Sequence, residues 1–221
     1  YANKNGFPGA GKFLDSYQKD NNTDFHTMVS EIADIPRKQA KTINLGLFYG
    51  MGKGKLMSEL GVNIEEATEL LQSYHERVPF VKKLTYDTQG IASKNGFLTT
   101  IQGRRCRFDL WESELEWGKK ALPEEEAERE YGKKTMKRAW TYKALNKLIQ
   151  GSAADQIKTA MIHLHREGYA SHIQVHDELD FSVASDADKA KIKDIMENCV
   201  ELSVPSKVDV ECGDNWGDAG D

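Results

Sequence analysis

Arg37-Lys38-Gln39-Ala40-Lys41-Thr42-Ile43-Asn44-Leu45-Gly46-Leu47-Phe48-Tyr49-Gly50 reads as one helix with two different ends. Pro36 precedes it, where a first-turn proline is tolerated, and Gly50, Gly52 and Gly54 punctuate its far side. Arg37, Lys41, Leu45 and Tyr49 recur every four residues. Each step of four rises ~6 Å and turns ~40° past a full circle, so the four side chains form a slowly winding stripe. The two cations sit about one turn apart, a spacing that suits neighbouring phosphates of a nucleoside triphosphate. Arginine can grip a terminal phosphate with two parallel hydrogen bonds, whereas lysine acts as a point charge. The free N–H groups at the helix start favour the same anion. Leu45 and Tyr49 then offer an apolar wall and an aromatic plate, which suit a sugar and a base. On spacing alone, an amphipathic helix with a solvated basic face is the favoured reading of the same four residues.

Upstream, Thr23 or Asp24 can cap a helix running to about Ala33, and a short helix is expected over Phe13 to Lys19. Downstream, Asn63 with Glu66 has the spacing of a capping box and opens a helix to Arg77. Pro79 breaks that run, and a further helix ends near Gly96. Phe97–Ile101 and Arg104–Phe108 flank Gln102-Gly103 as a β-hairpin. Residues 109–138, with Glu124-Glu125-Glu126 and Lys133-Lys134, read as a charged, solvated excursion. A long helix from about Lys143 to Arg166 follows. Next come strands at His172–His176 and Leu179–Val183 turning at Asp177-Glu178, a helix over Ala187 to Leu202, and a last strand over Lys207 to Cys212. Helices first, then strands mixed with helices, predict an α+β fold.

The 221 residues carry a net charge of −5, unevenly distributed. Residues 1–110 hold 15 basic and 12 acidic side chains, a net of +3, and residues 111–221 hold 15 and 23, a net of −8. Ile35 to Ser58 contains five basic residues and no acid; Thr88 to Phe108 contains four and none. Local basic surfaces, not the sum, govern phosphate binding. No apolar run approaches the ~18 residues of a membrane span, and no signal peptide opens the chain, so a cytoplasmic protein without a membrane partner is expected. Cys106, Cys199 and Cys212 are odd in number and widely spaced, which fits a reducing compartment rather than a disulfide framework or zinc site.

A second candidate site is His176-Asp177-Glu178, between two short apolar strands. Adjacent carboxylates in a tight turn are exposed together. Mg2+ takes one or two such carboxylates and fills its shell with water and substrate phosphates. An Asp-Glu turn by itself is more often only solvated.

Several stretches together resemble family A DNA polymerases, the bacterial polymerase I group and its phage relatives. Arg37 to Gly50 resembles the helix of the fingers. Ile173-Gln174-Val175-His176-Asp177-Glu178-Leu179 resembles the second catalytic motif, Asn146-Lys147-Leu148-Ile149-Gln150-Gly151-Ser152-Ala153-Ala154-Asp155 the palm helix, and Gly96 to Arg105 the preceding hairpin. The resemblance spans about Tyr1 to Trp216 and is weakest over 109–138. It implies fingers over residues 14–108 and a partial palm over 139–221, with 1–13 following a first palm motif. It implies that His26, Arg37, Lys41, Leu45 and Tyr49 contact the incoming deoxynucleoside triphosphate (dNTP). Tyr49, Gly50, Arg104, Arg105, Asn146, Gln150 and His176 would contact primer-template DNA. Asp177 would be a metal ligand for a two-metal Mg2+ site, and Glu178 an accessory one; with Lys41 they would form the catalytic set. Asn146 and Gln150 are four apart and face the same way, and amides can donate to acceptors shared by all base pairs in the minor groove. Arg104 and Arg105 would meet template phosphates.

The sequence departs from the family's pattern at Leu45, where phenylalanine or tyrosine is usual. Lacking a phenolic hydroxyl, Leu45 is expected to discriminate against dideoxynucleotides. Leu45 and the charged excursion point to a phage-like enzyme rather than a bacterial one. Glu178 favours DNA over single-subunit RNA polymerases, which usually carry serine after His-Asp. The family has another metal-binding aspartate in an upstream strand; no Asp in residues 1–22 sits in an apolar strand. The chain opens on Tyr1, as expected of a piece of a longer protein, and in isolation is expected to be inactive. A monomer is expected. The competing class is a nucleic-acid- or nucleotide-binding module without turnover.

Three further patterns carry no chemistry. Gly6-Phe7-Pro8-Gly9-Ala10-Gly11-Lys12 imitates a phosphate loop, but Phe13 replaces the required Ser or Thr. Gly50-Met51-Gly52-Lys53-Gly54 follows a helix, not a strand. His163 and His165 are two apart on a helix and point to different sides.

Overall fold

The computed structural model describes residues 2–20, 22–48, 51–116 and 118–219. Its helices are α1 (Ala10–Lys19), α2 (Phe25–Ala33), α3 (Arg37–Phe48), α4 (Lys53–Leu60), α5 (Ile64–Arg77), α6 (Pro79–Asn95), α7 (Glu124–Tyr131), α8 (Ala144–Arg166) and α9 (Asp186–Asn198). Six short strands pair into three antiparallel hairpin-like sheets: β1 (Phe97–Thr99) with β2 (Arg105–Arg107), β3 (Trp111–Ser113) with β4 (Met136–Arg138), and β5 (Ile173–Val175) with β6 (Glu178–Asp180). This is the α+β arrangement the element order predicts. Two compact units partition the chain: Tyr1–Phe13 with Thr23–Ile149, and Leu14–Asn22 with Gln150–Asp221.

In the first unit, α1, α2, α3, α5 and α6 bury one cluster that includes Phe13, Val29, Ala33, Ala40, Ile43, Tyr74, Val78 and Val81. Phe13 packs against Phe25 and Phe80 with ring centroids 5.3 and 5.0 Å apart, distances at which aromatic pairs attract beyond simple burial. The capping box at α5 is complete: Asn63 Oδ1 accepts from Glu66 N–H at 2.9 Å, and Glu66 Oε2 accepts from Asn63 N–H at 3.1 Å. Replacing Asn63 with Ala should lower stability by about 1 kcal/mol, read as a reduced urea midpoint with unchanged slope.

Pro79 occupies the first turn of α6, and Gly96 ends that helix at φ 76°. The backbone requires glycine there, and a Cβ, 2.8 Å from Arg138 Cζ, would also displace that guanidinium. The hairpin after it closes through one residue more than the two-residue Gln102-Gly103 turn expected, and its strands are correspondingly shorter. Gly103 N–H bonds Thr100 O at 3.0 Å, with Gly103 at φ 81°, and Thr100 N–H bonds Arg104 O at 2.9 Å. This is a three-residue turn with a left-handed glycine, which fixes the β1–β2 register.

Residues 109–138 have more structure than a plain solvated excursion. β3 and β4 pair, α7 turns its Ala127 inward, and Trp111 bridges to Leu122. The stretch leaves and returns through one neck, where Ala139 N–H bonds Leu110 O at 2.8 Å and Arg138 Nη1 donates to Phe108 O at 2.9 Å. The Arg138 guanidinium also lies over the Trp111 ring at 4.5 Å.

In the second unit, Ile157, Ala160 and Leu164 are the buried face of α8, spaced as an apolar helical stripe. Ser185 caps α9 by accepting from Asp188 N–H. Three expectations are corrected here. The hairpin turns at His176-Asp177, one residue early, with Val175 opposite Glu178, so Glu178 starts β6. α9 stops at Asn198 rather than Leu202. Lys207 to Cys212 forms no strand among the described residues. Its Val208 N–H goes to Glu197 Oε1 at 2.9 Å, a side-chain bond standing where a ladder bond would. Two elements went beyond expectation: α1 begins at Ala10, and Gly52 starts α4 instead of only ending α3. No described helix is long and apolar enough to cross a membrane.

Candidate nucleotide and nucleic-acid site

α3 separates its faces as the periodicity requires. Ala40, Ile43, Asn44 and Gly46 are buried, while Arg37, Lys41 and Leu45 are exposed. Tyr49 and Gly50 lie outside the described residues. The two cations on this surface differ in their partners. Arg37 is engaged: its guanidinium reaches Asp24 Oδ2 at 2.7 Å and Thr27 Oγ1 at 3.1 Å. Lys41 has no ion pair among the described residues. The result is a braced, oriented guanidinium beside an uncommitted ammonium, both on one solvent-facing helix surface. Such a pair can take a polyphosphate by forked and point-charge contacts respectively.

Asp24 does two jobs. It caps α2, accepting from the Thr27 N–H at 2.6 Å, and it holds Arg37. The Thr27 backbone N–H foremost, then Arg37, bring its carboxyl from 3.8 down to about 2. A carboxyl depressed by folding contributes stability above its ordinary value and loses it as pH falls through the folded one. Asp24 therefore contributes above about pH 3.8, and that contribution disappears between 3.8 and about 2. Asp24→Asn should flatten the acid limb of a urea-midpoint-versus-pH curve in that window. Because the pair is largely exposed, salt should shrink the effect.

His26 stands in the first turn of α2 and is half-buried. Its Nδ1 lies 2.9 Å from Asn44 Nδ2, and Asn44 Oδ1 accepts from the Tyr74 hydroxyl at 2.6 Å. Burial, chiefly, pushes the imidazole below 6.5; Arg37 and Lys41 push the same way and Asp24 opposes them. The structure thus brings His26, which the resemblance alone associated with this helix, near Arg37 and Lys41. It adds Thr27, Asn44 and Tyr74, to which sequence reasoning gave no role, and gives Asp24, expected only as a candidate helix cap, the further role of holding Arg37. One signal was available: Asn44 is a polar residue at an apolar position of the α3 period, and a buried amide must find partners.

Elsewhere in the first unit, Arg104 and Arg105 are exposed on the β1–β2 hairpin. Arg105 lies over the Phe97 ring at 4.5 Å, so its orientation is set by stacking. Lys147, at the start of α8, donates to Arg107 O at 3.0 Å and lies over Phe108 at 4.6 Å, fixing the helix start against the hairpin. Asn146, beside it, is half-buried; Gln150, one turn on in α8 and the first residue of the second unit's share of that helix, is exposed.

In the second unit, His176, Asp177 and Glu178 are all exposed at the tip of the β5–β6 hairpin. His176 sits at φ 53°, a left-handed conformation uncommon outside glycine and tolerated by few other residues, His, Asn and Asp among them. Its carbonyl accepts from Gln174 Nε2 at 3.1 Å. Neither carboxylate has a side-chain partner among the described residues, which leaves hard oxygen donors open to a cation. Among the described residues no three His, Cys, Asp or Glu side chains gather into a metal-holding group. Two carboxylates suit Mg2+, which completes its shell with water and phosphate oxygens, and do not suit a closed protein cage. The cysteines are free.

Comparison with known proteins gives a consistent result. A family model described as DNA polymerase family A matches residues 11–218. A DNA-directed DNA polymerase of Pseudomonas phage M6 is 37% identical over 92% of this chain and 32% of its own length. DNA polymerase I of Treponema pallidum is 35% identical over 88% of this chain and 19% of its own length. Among solved structures, the POL domain of Pol1 from M. smegmatis, in complex with DNA primer-template and dNTP, is similar. It has TM-score 0.73 and 29% identity, over 94% of this chain and 36% of that one. The chain therefore spans about a third or less of these relatives.

Proposed function

Since the chain belongs to DNA polymerase family A, we propose that it supplies the nucleotide-gripping and metal-binding parts of an enzyme that extends a DNA primer on a template. The observation that carries this reading is the exposed face of α3, where Arg37, held by Asp24, and Lys41, without an ion pair among the described residues, lie one turn apart beside His26. A purely solvated basic face would need neither the Asp24 brace nor a half-buried histidine.

In this reading Arg37, Lys41 and His26 hold the triphosphate, Leu45 walls the sugar, and Tyr49 and Gly50 meet the nascent pair. Lys41 stabilises charge developing on the leaving phosphates. Asp177, with Glu178 as accessory, would hold Mg2+. Bound there, Mg2+ neutralises phosphate charge and favours ionisation of the primer 3′-hydroxyl. His176 would touch the primer end, Asn146 and Gln150 the minor groove, and Arg104 and Arg105 template phosphates. The fingers would comprise residues 14–108 and the palm 139–221. The phage relative at 37% identity supports the phage-like character suggested by Leu45.

Primer extension with Mg2+ and four dNTPs tests the proposal on a polymerase of the relatives' length carrying this chain. Absence of extension by a folded, DNA-binding protein overturns it in favour of a binding module without turnover. The isolated 221 residues should bind primer-template and dNTP but extend poorly, because two carboxylates at one hairpin tip make an incomplete two-metal site. In the same assay the longer enzyme should prefer dNTP over dideoxynucleotide, since Leu45 has no hydroxyl to replace the missing 3′-OH. Leu45→Tyr should narrow that preference, and equal use of both substrates by the unmodified protein would refute the assignment.

A further inference from the structure

Behind His26 runs a polar chain closed to solvent: Asn44 and Tyr74 are each 0% exposed. Burial raises the Tyr74 hydroxyl's pKa well above its ordinary value, so it keeps its proton. A buried hydroxyl proton needs an acceptor, and Asn44 Oδ1, 2.6 Å away, is the one it has among the described residues. That bond fixes the amide the right way round: oxygen to Tyr74, NH2 to His26. An amide NH2 offers only protons, so the His26 nitrogen 2.9 Å from it must accept. Nδ1 therefore carries no proton, and the ring's proton resides on Nε2.

We propose that Asn44 and Tyr74 are positioning residues that lock His26 as a neutral imidazole with its proton on Nε2, a fixed donor for a phosphate oxygen. Three charged groups face the ring: Asp24 at the α2 cap favours the imidazolium, and Arg37 and Lys41 on α3 oppose it. The network sides with the cations, because an imidazolium would have to aim an Nδ1 proton at the Asn44 NH2. The consequence is chemical. Arg37 and Lys41 already supply two full charges, so His26 adds direction without a third. The role of the Nε2 donor rests on the dNTP-binding reading of His26; the tautomer does not.

The test is two-bond 1H–15N correlation of ring-labelled histidine in this chain, which distinguishes both neutral tautomers and the imidazolium. At pH 7 His26 should show the Nε2–H pattern and titrate below 6.5. Tyr74→Phe frees the amide to turn its oxygen to Nδ1, so the His26 midpoint should shift upward and Nδ1–H signal should grow. Asn44→Asp should shift it further in the same direction. An Nδ1–H or imidazolium pattern in the unmodified protein at pH 7 overturns the proposal without any variant. So does an unchanged midpoint in folded Tyr74→Phe. In the longer polymerase, above the shifted His26 midpoint, where the Nδ1–H tautomer leaves Nε2 no proton to donate, Tyr74→Phe should raise the dNTP KM by about five-fold, the worth of one hydrogen bond, with kcat little changed and a new pH dependence near neutrality. If the Nε2–H tautomer is found but His26→Ala leaves dNTP KM unchanged, the lock stands and the dNTP role of His26 falls.

Discussion

Asp177→Asn, in a polymerase of the relatives' length, should reduce Mg2+-dependent single-nucleotide incorporation by about three orders of magnitude, with primer-template affinity changed little. Asparagine keeps the size and the hairpin-tip backbone but removes the negative charge and one strong oxygen donor. A preorganised group acting on developing charge is commonly worth ~10²–10³ in rate, and loss of a metal ligand belongs at the upper end. Glu178→Gln should cost less: Glu178 opens β6 opposite Val175, whereas Asp177 stands in the turn itself. Rapid-quench incorporation with saturating dNTP separates the two. If both substitutions leave the rate within a few-fold of the unmodified enzyme, the carboxylate site lies elsewhere.

Lys41→Ala should lower kcat by about 10²-fold or more, since a cation that stabilises leaving-phosphate charge acts mainly in the transition state. Arg37→Ala should behave differently, raising the dNTP KM more than it lowers kcat. The structure gives the reason: Arg37 is already committed to Asp24 and Thr27, which orients it for binding, whereas Lys41 has no ion pair among the described residues and answers fully to new charge. Steady-state kcat and KM for each variant decide this. A pure KM effect at Lys41 would reassign it from chemistry to binding.

Most helices were legible because their ends are written locally. Asn63 with Glu66, Pro79, Gly96 and Gly168 each impose a start or stop through one residue's own chemistry. The β5–β6 turn was misplaced by one residue because His176 takes a left-handed backbone that composition does not announce. The supposed strand at 207–212 has the right residues, but a strand needs a partner, and pairing is a property of the tertiary fold. The stripe Arg37, Lys41 and Leu45 was readable from period alone. Asp24's grip on Arg37 spans 13 residues and the Tyr74–Asn44 bond spans 30, so no local pattern could reveal them.

The Leu110–Ala139 neck has a bearing on how such a protein can change over time. Because entry and exit are already tied together, the span between them can be shortened, replaced or enlarged without reopening the cost of joining its ends, which in any case grows only slowly with length. Arg138 must stay, since it serves Phe108 and fills the space over Gly96. Residues 111–137 should thus tolerate exchange as one cassette, leaving the packing of the flanking helices unchanged.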